Sequence, residues 1–231
     1  MKKLKAFWVR SDNVGDTLTP IIVEHFTDCE LIHVPAEDQG KLIGIGSIMT
    51  AMIPGDTIWG TGIMRDTDMF PHVANCKFLA VRGKLTEKIL GVSVGVYGDP
   101  ALLLPLMYQP YMTKRYKVGT IPHYAEKEEK IFKEAEKIID VQQNWKTFIN
   151  EIVSCKEIVS SSLHGIIIAE AYGIPAIWVK PTDKVAGDGF KFRDYLTGTG
   201  RDVREPGLFS PIPNLIDIQR NLLKSLSCLK S

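Results

Sequence analysis

The run Ser160-Ser161-Ser162-Leu163-His164-Gly165 sets three hydroxyls and an imidazole at the head of an apolar stretch. Between a strand and a helix, such serines can cap the helix and leave backbone N–H groups free, which together favour a bound anion. His164 then falls in the first helical turn, where the positive dipole end disfavours imidazolium and suits a neutral, proton-exchanging histidine. A serine N-cap with a partly exposed histidine accounts for the same residues without chemistry. His123, in Ile121-Pro122-His123-Tyr124, also follows a strand and reads either as a cleft residue or as a turn histidine bonded to backbone.

Other turns carry polar groups with two readings each. Asn13 and Asp16 flank Gly15 at a helix start, as cleft residues or as an ordinary cap. Arg82 offers a fork for phosphate or carboxylate, or pairs with a surface acid. Asp99, before Pro100, is a base or a turn former. Thr61 lies in Gly60-Thr61-Gly62, too short for a dinucleotide fingerprint, and neither GxGxxG nor a phosphate-loop motif occurs. Lys180 follows a strand, and Lys191 and Arg193 alternate with Phe190, Phe192 and Tyr195, as a surface for an anionic or sugar ligand or as a short helix with aromatic anchors. The two-glycine loop at 181–189 has the makings of a lid. No His/Cys/acid spacing calls for a metal, and no cofactor is expected.

The elements that must position these groups alternate. Strands are predicted over 4–9, 41–45, 57–59, 78–81 and 94–97, with helices over 17–26 and 85–90, the latter capped by Gly91. Residues 105–117, with prolines, tyrosines and a basic triplet, read as a linker. Strands over 117–121, 138–141, 157–159 and 176–179 follow, with helices over 126–137, 144–154, 163–172 and 215–229. The 126–137 helix is expected to be charged and solvent-facing. This rhythm predicts an α/β protein of two units, residues 1–107 and 115–231, with a ligand cleft between them.

Composition narrows the partners. The chain has 231 residues, and 28 Lys and Arg against 27 Asp and Glu leave a net charge of +1, so no global surface for nucleic acid is expected. Cys29, Cys76, Cys155 and Cys228 are isolated, as in reduced cytoplasmic proteins. The basic start, Met1 to Lys5, is followed by charges rather than an apolar leader segment. The apolar stretches 42–54 and 101–107 fall short of the roughly 20 residues that span a bilayer. A cytoplasmic location is expected, with no transmembrane segment and at most transient contact with a membrane surface.

Taken in order, the turns resemble the polysaccharide pyruvyl transferase family, in its exopolysaccharide ketal-pyruvate transferase-like branch. The resemblance rests on Asn13-x-Gly15-Asp16, Gly44-x-Gly46-Ser47, Gly60-Thr61-Gly62, Val81-Arg82-Gly83, Gly98-Asp99-Pro100, Pro122-His123, Ser161-Ser162-Leu163-His164-Gly165 and Phe190-Lys191-Phe192-x-Asp194-Tyr195. It implies two Rossmann-like domains arranged as in B-type glycosyltransferases. It also implies transfer of pyruvate from phosphoenolpyruvate to two hydroxyls of a free or lipid-linked saccharide as a cyclic ketal. On that reading His164 and His123 handle protons. Asn13, Asp16, Thr61, Arg82, Asp99, Ser161, Ser162, Gly165, Lys180, Lys191 and Arg193 bind substrate. Many family members carry Arg where Ser162 stands, so its anion contact must come from Arg82, Lys180, Lys191 or Arg193. A glycosyltransferase using a nucleotide sugar and a degenerate, non-catalytic binding protein are the competing expectations.

Overall fold

The structure is a computed structural model that describes residues 2–111, 113–208 and 210–229. Two parallel sheets form the framework. The first contains β1 (Lys2–Phe7), β2 (Cys29–His33), β3 (Leu42–Ile43), β4 (Thr57–Trp59) and β5 (Lys77–Ala80), in the order β2-β1-β3-β4-β5. The second contains β6 (Tyr116–Ile121), β7 (Lys137–Ile138), β8 (Cys155–Ser160) and β9 (Ala176–Trp178), in the order β7-β6-β8-β9. Parallel strands need crossover connections, and the helices supply several of them: α1 (Val14–Phe26) joins β1 to β2, α4 (Trp145–Val153) joins β7 to β8, and α5 (Leu163–Ala171) joins β8 to β9. The fold is mixed α/β, as the alternation of sequence patterns predicts.

α5 is apolar on all sides because it is enclosed: Leu163 and residues 165–170 are buried, and the helix packs on the 3₁₀ segment Pro100–Leu106 that leaves the first sheet. Leu102, Leu103 and Leu104 are fully inaccessible and share one apolar cluster with Leu18, Ile22, Ile158 and Ile167, so the core runs from one sheet to the other. α7 (Ile216–Leu226) returns to the first sheet, burying Leu222 and Leu226 and contacting β5. Trp59 Nε1 donates to Ser225 Oγ at 3.1 Å across that contact. Lys41 and Asp56, both fully buried, pair at 2.5 Å and hold the entry to β3 against the turn before β4.

Three expectations require correction. The strand β2 went unforeseen. Residues 94–97 form no strand and contribute only the bridge between Val81 and Tyr97. The helix expected over 126–137 is reduced to the 3₁₀ turn Tyr124–Glu126 and α3 (Lys130–Lys133). The crossover from β6 to its neighbour β7 is short, and two of its acids do structural work: Glu126 is fully buried, and Glu136 accepts from the Lys117 N–H at 3.1 Å. Residues 105–117 comprise the end of the 3₁₀ segment, an irregular stretch and the start of β6; Met112 lies outside the described residues.

Candidate functional site

The carboxyl ends of β1, β3, β6 and β8 lead into turns that line a cavity of about 240 Å³. Asn13, Asp16, Ser47, His123, Ser162, His164 and Lys191 all reach its wall. This is where parallel α/β proteins place ligands, because crossover loops and helix starts converge there. Six of the thirteen residues selected from sequence meet in this cleft, and Ser47 joins them.

Each wall residue is held by its own turn. Asn13 caps α1, its Oδ1 accepting from the Gly15 N–H at 3.1 Å, while Asp16 accepts from the Ser11 hydroxyl at 2.7 Å. Ser160 Oγ lies 2.8 Å from the Ile121 carbonyl and accepts from the Ser162 N–H at 2.9 Å, tying the turn after β8 to the end of β6. Ser161 Oγ accepts from the His123 N–H at 2.9 Å, coupling the two turns directly. Ser162 is the N-cap residue of α5, yet its side chain makes no capping bond. The first N–H groups of α5 therefore keep their capacity for an external acceptor.

The two histidines differ. His123 Nδ1 accepts from the Ala125 N–H at 3.2 Å, and burial together with the nearby Lys191 charge pushes its pKa down to about 4. At neutral pH His123 is uncharged and carries its hydrogen on Nε2, so it serves the cleft as a hydrogen-bond donor. His164 packs against Gly15, where any Cβ would overlap the imidazole, and its Nε2 lies 3.4 Å from Asp99 Oδ2.

Lys191 is the unusual cation. It lies on α6 (Phe190–Gly198), is 7% exposed, and lines the cleft. Among the described residues its Nζ has no hydrogen bond or ion pair, only the Phe192 ring at 5.6 Å. Burial and then the Arg82 charge lower its pKa to about 8, against the opposing influence of Asp16 and Glu126. A buried ammonium without a partner is costly and is relieved by an anion.

The other residues selected from sequence lie outside the cleft wall. Arg82 is fully buried and its fork is fully engaged: with Asp194 at 2.9 Å, the Ser47 hydroxyl at 2.6 Å and the Ile63 carbonyl at 2.7 Å. The acid it pairs with is a buried one, not the surface acid considered from sequence, and its contribution to the cleft runs through Ser47. Thr61 donates to the Gly46 carbonyl at 2.8 Å beneath the cleft floor. Ser161 and Asp99 are sealed in, and Gly165 is a close-packing position on which a Cβ would meet Ser160 Oγ and Ile121. Lys180 is bound by Asp183 at 2.8 Å and Asp188 at 2.5 Å, and Arg193 donates to the Asp188 carbonyl at 2.7 Å. Both cations shape the 181–189 loop. Of the four cations considered for the anion contact, Lys191 alone faces the cavity. Glu126, bonded through Oε1 to Thr182 of that loop, is a buried acid that sequence placed on a solvent-facing helix.

Among the described residues no cluster of three or more His, Cys, Asp or Glu is placed to hold a metal ion, and no helix is long and apolar enough to cross a membrane. The family model for polysaccharide pyruvyl transferase matches residues 58–183. An uncharacterized protein of Acanthamoeba polyphaga mimivirus is 32% identical to this chain, over 84% of the chain and 73% of that protein. The succinoglycan biosynthesis protein ExoV of Rhizobium meliloti (strain 1021) is 25% identical over 69% of this chain, which spans 54% of ExoV's own length.

Proposed function

The chain belongs to the polysaccharide pyruvyl transferase family, and from that membership we propose that it moves pyruvate from phosphoenolpyruvate onto two hydroxyls of a saccharide as a cyclic ketal. The two sheets then stand for two Rossmann-like units, residues 1–107 and 115–231, in the manner of B-type glycosyltransferases. The setting proposed is polysaccharide assembly in the cytoplasm, on a free or lipid-linked acceptor. The observation that carries this reading is Lys191: a buried, unpaired ammonium in the same cavity as a helix start without a side-chain cap and as His164.

The chemistry accounts for every atom. Phosphoenolpyruvate brings three negative charges, which Lys191 and the N–H groups of α5 receive, with His123 donating from Nε2. His164 takes the proton of the first attacking hydroxyl on Nδ1 and passes it to the methylene carbon, which becomes the methyl group as C2 turns electrophilic. Two C2–O bonds to the sugar form and the C2–O bond to phosphate breaks. The two hydroxyl protons balance the reaction: one reaches the carbon through His164, and the other leaves with phosphate as the hydrogen phosphate dianion. The donor is a substrate, and the scheme uses no cofactor or metal. A positioned histidine contributes about 10²–10⁴-fold in such transfers.

Phosphate release from phosphoenolpyruvate, measured across free and lipid-linked saccharides, tests the reading. Release that requires both saccharide and His164 is expected. Nucleoside diphosphate release from a nucleotide sugar, with no phosphate from phosphoenolpyruvate on any acceptor, would overturn it.

A further inference from the structure

Buried polar atoms without partners call for an explanation, and two of those among the described residues face each other: Asp99 Oδ2 and His164 Nε2. We infer that Asp99 is a positioning residue, its carboxylate fixing the ring of His164 with hydrogen on Nε2 and leaving Nδ1 to exchange protons with the cleft. The inference rests on the proposed role of His164 in proton transfer.

Asp99 is fully buried and cannot swing away. Its Oδ1 accepts from the Ala101 N–H at 2.9 Å, and the 3₁₀ segment it caps is anchored by Leu102, Leu103 and Leu104 in the core. Oδ2 is thereby fixed 3.4 Å from His164 Nε2. An ionised carboxylate has no proton to give, so the hydrogen lying between the two atoms belongs to the imidazole. With Nε2 sealed in, the ring edge that carries Nδ1 is the one left to the cleft, and that edge rests on Gly15, where the missing side chain makes room for it. The contact is long for a hydrogen bond, as catalytic contacts often are before substrate tightens them. Asp99 follows the first sheet and His164 follows β8 of the second, so the proton-transfer group is in register only when both units are assembled.

The test uses the full chain labelled with ¹⁵N-histidine, His164→Gln giving the assignment. Long-range proton–nitrogen spectra of the wild type should show His164 protonated on Nε2 and bare on Nδ1. Asp99→Asn keeps the cap through Oδ1 but turns an amide donor towards Nε2, so the hydrogen should move to Nδ1. Phosphate release should then fall about 10²–10⁴-fold, with the melting temperature and the thermal shift caused by phosphoenolpyruvate retained. A wild-type His164 protonated on Nδ1, or a tautomer that ignores Asp99→Asn, overturns the inference. Should the variant fail to fold, the wild-type spectrum alone decides. A tautomer switch in a protein that never releases phosphate from phosphoenolpyruvate would uphold the dyad and sink the proposed activity. Normal release with an unchanged tautomer would sink the dyad alone.

Discussion

Lys191 sets two effects of pH against each other. Its folded pKa of about 8 lies below the ordinary lysine value because burial and Arg82 disfavour the charge. Below pH 8 both folded and unfolded chains carry the proton, and the folded state bears the full penalty, on the order of 3 kcal/mol. Between pH 8 and the ordinary lysine pKa the unfolded chain binds more protons, so this residue's contribution to stability rises with pH. Anion binding needs the proton and must weaken over the same range. Wild type should therefore gain stability relative to Lys191→Met between pH 7 and 10 in denaturant titrations. Its thermal shift with phosphoenolpyruvate should fade over that range, and Lys191→Met should show no such shift at any pH. His123 predicts a change on the acid side. Its folded pKa of about 4 means that the unfolded chain takes up a proton first as pH falls. Its contribution to stability is present above the ordinary histidine pKa and declines towards pH 4, so wild type should lose stability relative to His123→Asn over that interval. Sequence could place both residues after strands or on a short helix. It could not show that His123 is held neutral, because that follows from burial beside a lysine 68 positions away in the chain.

At the scale of elements, the turn after β5 and helix α6 form a clamp. Arg82 and Asp194 are both fully buried and pair at 2.9 Å, while Asp194 also accepts from the Thr86 N–H at 2.8 Å and the Thr86 hydroxyl at 2.7 Å. α2 (Lys84–Leu90) and α6 approach so closely that a Cβ at Gly83 would overlap the Asp194 carbonyl and one at Gly198 the Arg82 carbonyl. Removing one partner strands a buried charge, so Arg82→Met and Asp194→Leu should each cost about 3–5 kcal/mol, and the double variant should recover part of the loss. Denaturant midpoints of the three variants check this. Were Arg82 a donor-binding group, Asp194→Leu would instead leave Arg82 freer and strengthen the thermal shift with phosphoenolpyruvate. The sequence left Arg82 between these roles because a guanidinium suits phosphate and carboxylate alike, and only the packing of α6 supplies the acid. The short crossover between β6 and β7 is the converse case. Its run of Glu and Lys reads as a solvated helix, but Glu126 turns inward to Thr182, and neither composition nor spacing marks which acid will be buried.

For the molecule as a whole, strand-ending turns are legible because their glycines, serines and prolines are local signals, whereas β2 (CELIH) sets an acid and a histidine among its apolar residues and does not read as a strand, although Pro35 follows two residues after its end. The cleft was legible as a place and not as a list, because six residues meet there through contacts between two sheets that no local pattern encodes. Net charge bears on how the cleft works. At +1 over 231 residues there is no broad field to draw in an anion from a distance. Attraction must come from one buried ammonium and a helix start, and charges inside a protein are screened far less by salt than exposed ones. Binding of phosphoenolpyruvate should accordingly weaken only a few-fold when ionic strength rises from about 0.05 to about 0.5 M, over which the Debye length shrinks roughly threefold. A surface cluster of lysines would instead lose affinity steeply over that range. Calorimetric titration at several sodium chloride concentrations separates the two cases, and the residual salt effect should disappear with Lys191→Met because no binding would remain to screen. A steep salt dependence that survives in Lys191→Met would move the anion site out of the cleft and onto the exposed surface.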